Sequence, residues 1–258
     1  MIRVNSIAGL IIFAVTLAPI ATAQQSAPKS QPAQQSAPTQ ITSGSSSPQA
    51  GITGLQKVLS QMDSSAAGFR SAQADLTSVQ YQKVVDETDT QKGKAYFRRA
   101  GKNNLEMALD ITQPDAKYVL LKDDKVRLYQ PAIDQVTEYN IAKNRADVES
   151  MFALGFGGRG HDLLKAFEAK LAGDELVQGI HTAKLELWPR SDKVKNMFSL
   201  ITLWVDPERG ISLQQRFDEP SGDYRVAQYS NIRLNQKISD DVFKLKTTAA
   251  TKVVTPQS

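Results

Sequence analysis

The chain has 258 residues, 41% hydrophobic and 22% charged, enough for one large domain with an ordinary core. Lys+Arg 31 against Asp+Glu 27 leaves a net charge of only +4, which argues against a nucleic-acid binder. Cysteine is absent and histidine occurs twice, so disulfides, thiolate or His-rich metal centres, Cys nucleophiles and a lipid-modified cysteine are excluded.

Residues 1–23 follow the plan of a secretory signal peptide: Arg3, an apolar run from Ile7 to Ala18, and a small-residue end at Ala21-Thr22-Ala23. Twelve residues of helix span about 18 Å, short of a ~30 Å hydrocarbon core, so a membrane anchor is the weaker reading. The expected location is therefore the periplasm of a diderm bacterium, with the leader removed. In residues 24–50, Gln, Ser, Pro and Ala fill 22 of 27 positions. Such a segment buries too little surface to offset its ordering entropy, which predicts a disordered linker.

A single domain is expected over 51–248, followed by a flexible tail at 249–258. Thr53 and Gln56 have capping-box spacing, and Leu55, Val58, Leu59 and Met62 share one helical face that Gly68 ends. After Phe69 the period is two. Ala72, Ala74 and Leu76 alternate, then the phase moves to Val79 and Tyr81, which suggests a bulge. A polar loop over 86–93 leads to a strand at 94–99. Leu105-Glu-Met107-Ala-Leu109-Asp-Ile111 is the clearest strand, with one wholly apolar face. Strands at 118–121 and 126–129 flank Asp123-Asp124 as a hairpin, and 135–141 is a further strand. Helices are expected at 146–154 and 162–167, separated by a glycine-rich joint. Later strands fall at 167–171, 175–180, 182–188, 198–205, 211–217 and 224–234, separated by turn formers such as Asp206-Pro-Glu-Arg-Gly210. About ten short strands joined by hairpins imply a strongly curled antiparallel sheet of the α+β class, and Rossmann or TIM plans do not fit.

Gly155-Phe-Gly157-Gly158-Arg-Gly160 matches G-x-G-x-x-G but lacks the strand before it and the βαβ unit around it, so it reads as a flexible joint. His161 beside Asp162 has no activated serine to serve, and both histidines read as structural or exposed. Arg98-Arg99 reads by default as a solvated basic turn, although an arginine there has donors enough to hold several carbonyls. The aromatic and aliphatic residues of the strands either fill a compact core or line a hollow that takes apolar ligands.

Several elements taken in order resemble the LolA-like family of outer-membrane lipoprotein carriers. They are the leader, Phe97-Arg98-Arg99 before Leu105-Glu-Met107, Thr112-Gln113-Pro114-Asp115 before Val119-Leu-Leu-Lys-Asp-Asp124, Leu128-Tyr129-Gln130-Pro131, Leu187-Trp188-Pro189, Asp206-Pro-Glu-Arg-Gly210-Ile211 and Val242-Phe243. The likeness spans roughly 52–247. It departs from the family at Ala100-Gly101, where a proline is usual, at Asp124 in place of the hairpin glycine, and at Leu128 in place of a tryptophan.

The resemblance implies a half-open antiparallel barrel with an N-terminal helix and a helical lid over an apolar cavity. It also implies acylated lipoproteins or lipids as ligands, an inner-membrane donor complex, an outer-membrane acceptor, a monomeric carrier, and neither cofactor nor catalytic set. On this basis Leu105, Met107, Leu109, Leu120, Met151, Phe152, Phe156, Trp188 and Phe217 are the expected cavity and lid residues. Arg99 is the expected latch between barrel and lid, with Arg98 solvated and indifferent. An envelope sensor, or a carrier of another lipid on the same barrel, is the alternative.

Overall fold

The computed structural model describes residues 48–101, 104–145, 151 and 154–256. The expected leader, and the linker up to residue 47, lie outside the described residues. Helix α1 (Pro48–Gly68) begins five residues before Thr53, so Pro48–Ala50 are helical rather than part of the linker. Proline is well placed there, because its fixed φ suits a first helical turn and its missing N–H costs nothing.

Twelve strands follow among the described residues: β1 (Ser71–Gln82), β2 (Glu87–Ala100), β3 (Asn104–Gln113), β4 (Lys117–Lys122), β5 (Lys125–Gln130), β6 (Gln135–Asn140), β7 (Phe167–Val177), β8 (Ile180–Pro189), β9 (Leu200–Asp206), β10 (Ile211–Asp218), β11 (Tyr224–Leu234) and β12 (Lys252–Val254). They form one curled, unclosed sheet in the order β12-β6-β5-β4-β3-β2-β1-β11-β10-β9-β8-β7. Helix α2 (Gly160–Ala166) precedes β7, and the short α3 (Asp192–Lys195) follows β8. All pairings are antiparallel except β12 on β6, which is parallel. The expected flexible tail at 249–258 therefore contains a paired strand.

Two further expectations are corrected. The polar stretch 87–93 is not a loop but the first half of β2, paired residue by residue with β1 from Gln82↔Glu87 onward. The stretch 87–93 is polar on both faces, with Gln91 its one buried residue, so no apolar phase marks it. The predicted bulge between Leu76 and Val79 is absent; the shift in β1 lies at Gln73/Asp75 against β11. Past Leu76 the inward phase simply continues as Ser78 and Gln80, so the interior becomes polar there.

The sheet carries three clusters of buried side chains. On the inner face of β1–β5, Ala72, Ala74, Ala95, Phe97, Met107, Val119, Leu121, Val126 and Leu128 form the first. Beneath α1 and α2, Leu59, Met62, Leu163, Leu185, Leu203 and Phe217 form the second. On the outer face, Ala108 and Leu120 meet Ile238 and Phe243 of the C-terminal segment.

Candidate functional site

The first cluster also takes in side chains that are not on the sheet, Phe156 among them. Phe156 sits on the turn Leu154–Gly157 and is fully buried. Its ring stacks on Phe97 at 4.8 Å between centroids and meets Tyr229 edge-on at 4.9 Å. Small residues on the central strands, Ala72, Ala74 and Ala95, leave room for it. An aromatic pair of this kind contributes about 0.5–1.5 kcal/mol beyond the burial of its area.

The turn is tied to the barrel through its own carbonyls. Ser212 N–H donates to Gly155 O at 3.1 Å, the Gln215 side-chain amide donates to Leu154 O, and Arg99 Nη2 donates to Gly157 O at 3.1 Å. Two of the three donors come from β10 and one from β2. Gly155 and Gly157 have φ of +104° and +77°, and a Cβ on either would strike Ser212 or the Phe69 ring within 2.5 Å. Glycine is required at both for the backbone to come this close. The joint read in the sequence is thus a seated turn.

The two neighbouring arginines divide by strand alternation. Phe97 points inward, so Arg98 points outward and Arg99 returns to the inner side, exposed at the rim. Arg98 is not solvated, contrary to expectation. It bonds Glu106 (Nε–Oε2 2.9 Å) and Asp240 (2.5 Å), and its guanidinium lies 4.1 Å over the Phe243 ring. It fixes the C-terminal segment to the outer face.

The expected cavity residues do not all fall on one surface. Leu105, Met107 and Phe156 are buried in the first cluster, with Leu109 half-buried against it. Met151 packs at the edge of the second cluster, and Phe217 lies within that cluster, 5.4 Å from Phe198, rather than among the barrel residues around Phe156. Leu120 faces the other way, because its partner Ala108 lies on the outer face beneath Phe243. Trp188 is also outward: Ala183, Leu185 and Leu187 hold the inward phase of β8, which leaves Trp188 half-buried in a surface groove with Glu168, Lys170 and Arg190. Phe152 and most of the predicted 146–154 helix lie outside the described residues.

Sequence reasoning missed Gln215. It occupies the inward phase of β10 between Leu213 and Phe217, is 5% exposed, and also accepts a long bond from Tyr229 Oη at 3.4 Å. A polar residue in an apolar phase is the signal that marks it. Burial raises the Tyr229 phenol well above its ordinary range, so it remains a neutral donor. Helix α2 is anchored separately, with His161 Nδ1 2.5 Å from Asp63 Oδ2 and His161 Nε2 2.9 Å from Gln56 Oε1. No cluster of potential metal ligands occurs among the described residues, and no described helix is long and apolar enough to cross a membrane.

An apolar inner face stoppered by a hydrogen-bonded turn is an arrangement for holding apolar matter. The family model for the outer membrane lipoprotein carrier protein LolA matches residues 68–246. The chain belongs to this family. LolA-family members are carrier or binding proteins of the bacterial envelope.

The fold recurs in solved structures of low identity. An uncharacterised conserved protein from Thermus thermophilus is 10% identical, with 79% of this chain and 99% of that chain covered at TM-score 0.50. MucB is 14% identical, with 78% and 66% covered at TM-score 0.50. A putative outer membrane lipoprotein-sorting protein domain from Vibrio parahaemolyticus is 14% identical, with 76% and 96% covered at TM-score 0.41. No curated protein sequence matches the chain.

Proposed function

We propose that this LolA-family protein is a periplasmic carrier. It takes the acyl chains of an outer-membrane lipoprotein onto the inner face of β1–β5, in place of Phe156, and releases them at an outer-membrane acceptor. A leader ending at Ala23 delivers the chain, an inner-membrane complex loads it, and it works as a monomer without covalent chemistry.

The observation that carries this reading is the seating of Phe156. Each CH₂ withdrawn from water favours binding by about 0.8 kcal/mol, so a bare apolar groove would hold an acyl chain too tightly to give it up. Here the chain must first displace a buried phenyl ring, worth roughly 1.5–3 kcal/mol of burial. It must also break three hydrogen bonds worth about 1 kcal/mol each. The closed state offsets part of the acyl burial, which brings affinity into a range where transfer is possible. Arg99 contributes at the exposed rim and Gln215 in the interior.

Mass spectrometry of material copurifying with the mature protein tests the reading. Lipoproteins are the expected result. Free phospholipid or fatty acid would replace them with another lipid as cargo, and a protein devoid of apolar ligand in every preparation would overturn the carrier assignment.

A further inference from the structure

The inward phase of β11 runs Tyr229, Ala227, Arg225. Tyr229 touches Phe156, and Arg225 lies four residues further along the strand, about 13 Å at the usual rise. Its cross-strand neighbours are Gln80 on β1 and Phe217 on β10. Gln80 is buried, as is Gln91 further along the same inner face on β2. An apolar surface therefore ends in a polar one.

Arg225 is only 6% exposed. Its Nη2 has one long bond, 3.4 Å to Gln80 Oε1, while its Nε and Nη1 have no hydrogen-bond partner. No carboxylate forms an ion pair with it among the described residues. Glu219, at the end of β10, is the acidic group that its charge acts on, and burial pushes that carboxyl upward while Arg225 pulls it down. Burial lowers the guanidinium to about 10, so it stays cationic at neutral pH. A buried cation with two unused donors is costly in a protein that only needs to fold, and apolar residues of similar size generally serve folding better. Its paired, planar donors match the two oxygens of a carboxylate or phosphate.

We propose that Arg225 binds the anionic end of the acyl ligand, so that the interior takes an amphiphile carrying a carboxylate or phosphate, its chain over the Phe156 site and its head on the guanidinium. This inference rests on the acyl-carrier reading and goes beyond its lipoprotein cargo, whose acyl chains are held in neutral ester and amide groups: it adds a free anionic lipid as a ligand of the same interior.

The test is calorimetric titration of the delipidated mature protein with oleate, methyl oleate, oleoyl lysophosphatidic acid and inorganic phosphate, below micellar concentrations. Wild type should bind oleate, or the lysophosphatidic acid, at least about tenfold more tightly than the neutral ester. Arg225→Leu should erase that difference while leaving methyl oleate unchanged, and Arg225→Lys should restore part of it. The relative affinity of the two anionic lipids identifies carboxylate or phosphate as the head. Arg225→Leu should also melt no lower than wild type.

Binding of both oleate and the lysophosphatidic acid no tighter than the neutral ester by wild type would overturn the inference and leave the acyl reading intact. So would equal loss of the anionic lipids and the ester in Arg225→Leu, or inorganic phosphate binding as tightly as the lipids. Failure of wild type to bind any of the three lipids would instead overturn the acyl reading itself.

Discussion

Over β8–β10 the interior is covered by α1, which buries Leu59 and Met62 to 0% and 1% exposure. Over β2 and β11 the described cover is Phe156, carried on a four-residue turn and packed on Phe97 and Tyr229. The first arrangement joins a 21-residue helix to the sheet through many side chains. The second depends on one ring and three hydrogen bonds. A core that only has to be stable spreads its contacts, whereas a surface that must be uncovered concentrates them where a small movement breaks them all.

The largest expected effect breaks the apolar side of this contrast. Met107→Asp places a carboxylate on the inner face at a cost of several kcal/mol if ionised, and abolishes acyl binding measured with a fluorescent fatty acid. Met107→Ala, folded but with a shallower contact, separates lost binding from lost folding. Undiminished binding by a folded Met107→Asp would remove β3 from the ligand surface.

Next, Met62→Ala beneath α1 should cost about 2–5 kcal/mol in denaturant unfolding without changing acyl affinity in the folded protein. Phe156→Ala should instead raise acyl affinity, because the ligand no longer competes with the ring. If both variants behave alike in binding, the two halves of the interior do not differ in function.

Gln215→Ala leaves the Leu154 carbonyl buried without its donor and should cost about 1–3 kcal/mol of the closed state. The readout is faster amide exchange in the 154–157 turn, together with slower transfer of bound acyl probe to acceptor vesicles. Arg99→Leu should act in the same direction but more weakly, under about 1 kcal/mol, because its bond is solvent-exposed. Arg98→Leu should leave transfer unchanged and loosen residues 238–243, visible as increased proteolysis there.

The smallest effect concerns the helix side. Burial pushes the Asp63 carboxyl upward, but the bonds and charges of His161 and Arg159 outweigh it, and it ends below the ordinary range. A carboxylate lowered by folding stabilises the protein above its unfolded pKa of about 4, and that contribution is lost as pH falls through the lower folded value. Asp63→Asn should therefore lower the melting temperature at pH 7, and the gap from wild type should close in acid.

Much of this architecture was legible because alternation is a strong signal where only one face of a strand is apolar. The run from Leu105 to Ile111 fixes its own orientation in this way, and so does Phe97, whose inward phase implies opposite fates for Arg98 and Arg99. Tyr118-Val-Leu-Leu121 is apolar on both faces, since a C-terminal segment distant in sequence covers its outer side, and nothing local tells Leu120 from Leu121. Trp188 misled through size: a large aromatic invites an interior assignment, yet the phase set by Leu185 and Leu187 excludes it. The polar residues Gln215 and Arg225 stand in apolar phases, which marks them as unusual without revealing that one holds a carbonyl and the other has donors to spare.

An unclosed sheet has two borders, and each is a template on which another chain can add a strand. β7 meets solvent with Glu168, Lys170 and Glu175 along its length and a register break at Leu171/Gly173. At the other border the six residues of β6 would be bare were it not for Lys252–Val254, which cover half of them and leave a rim only three residues long. The last strand thus serves as a guard against self-association. A chain ending at residue 248 would keep its apolar interior but lose that guard, and would tend to aggregate at concentrations the full chain tolerates.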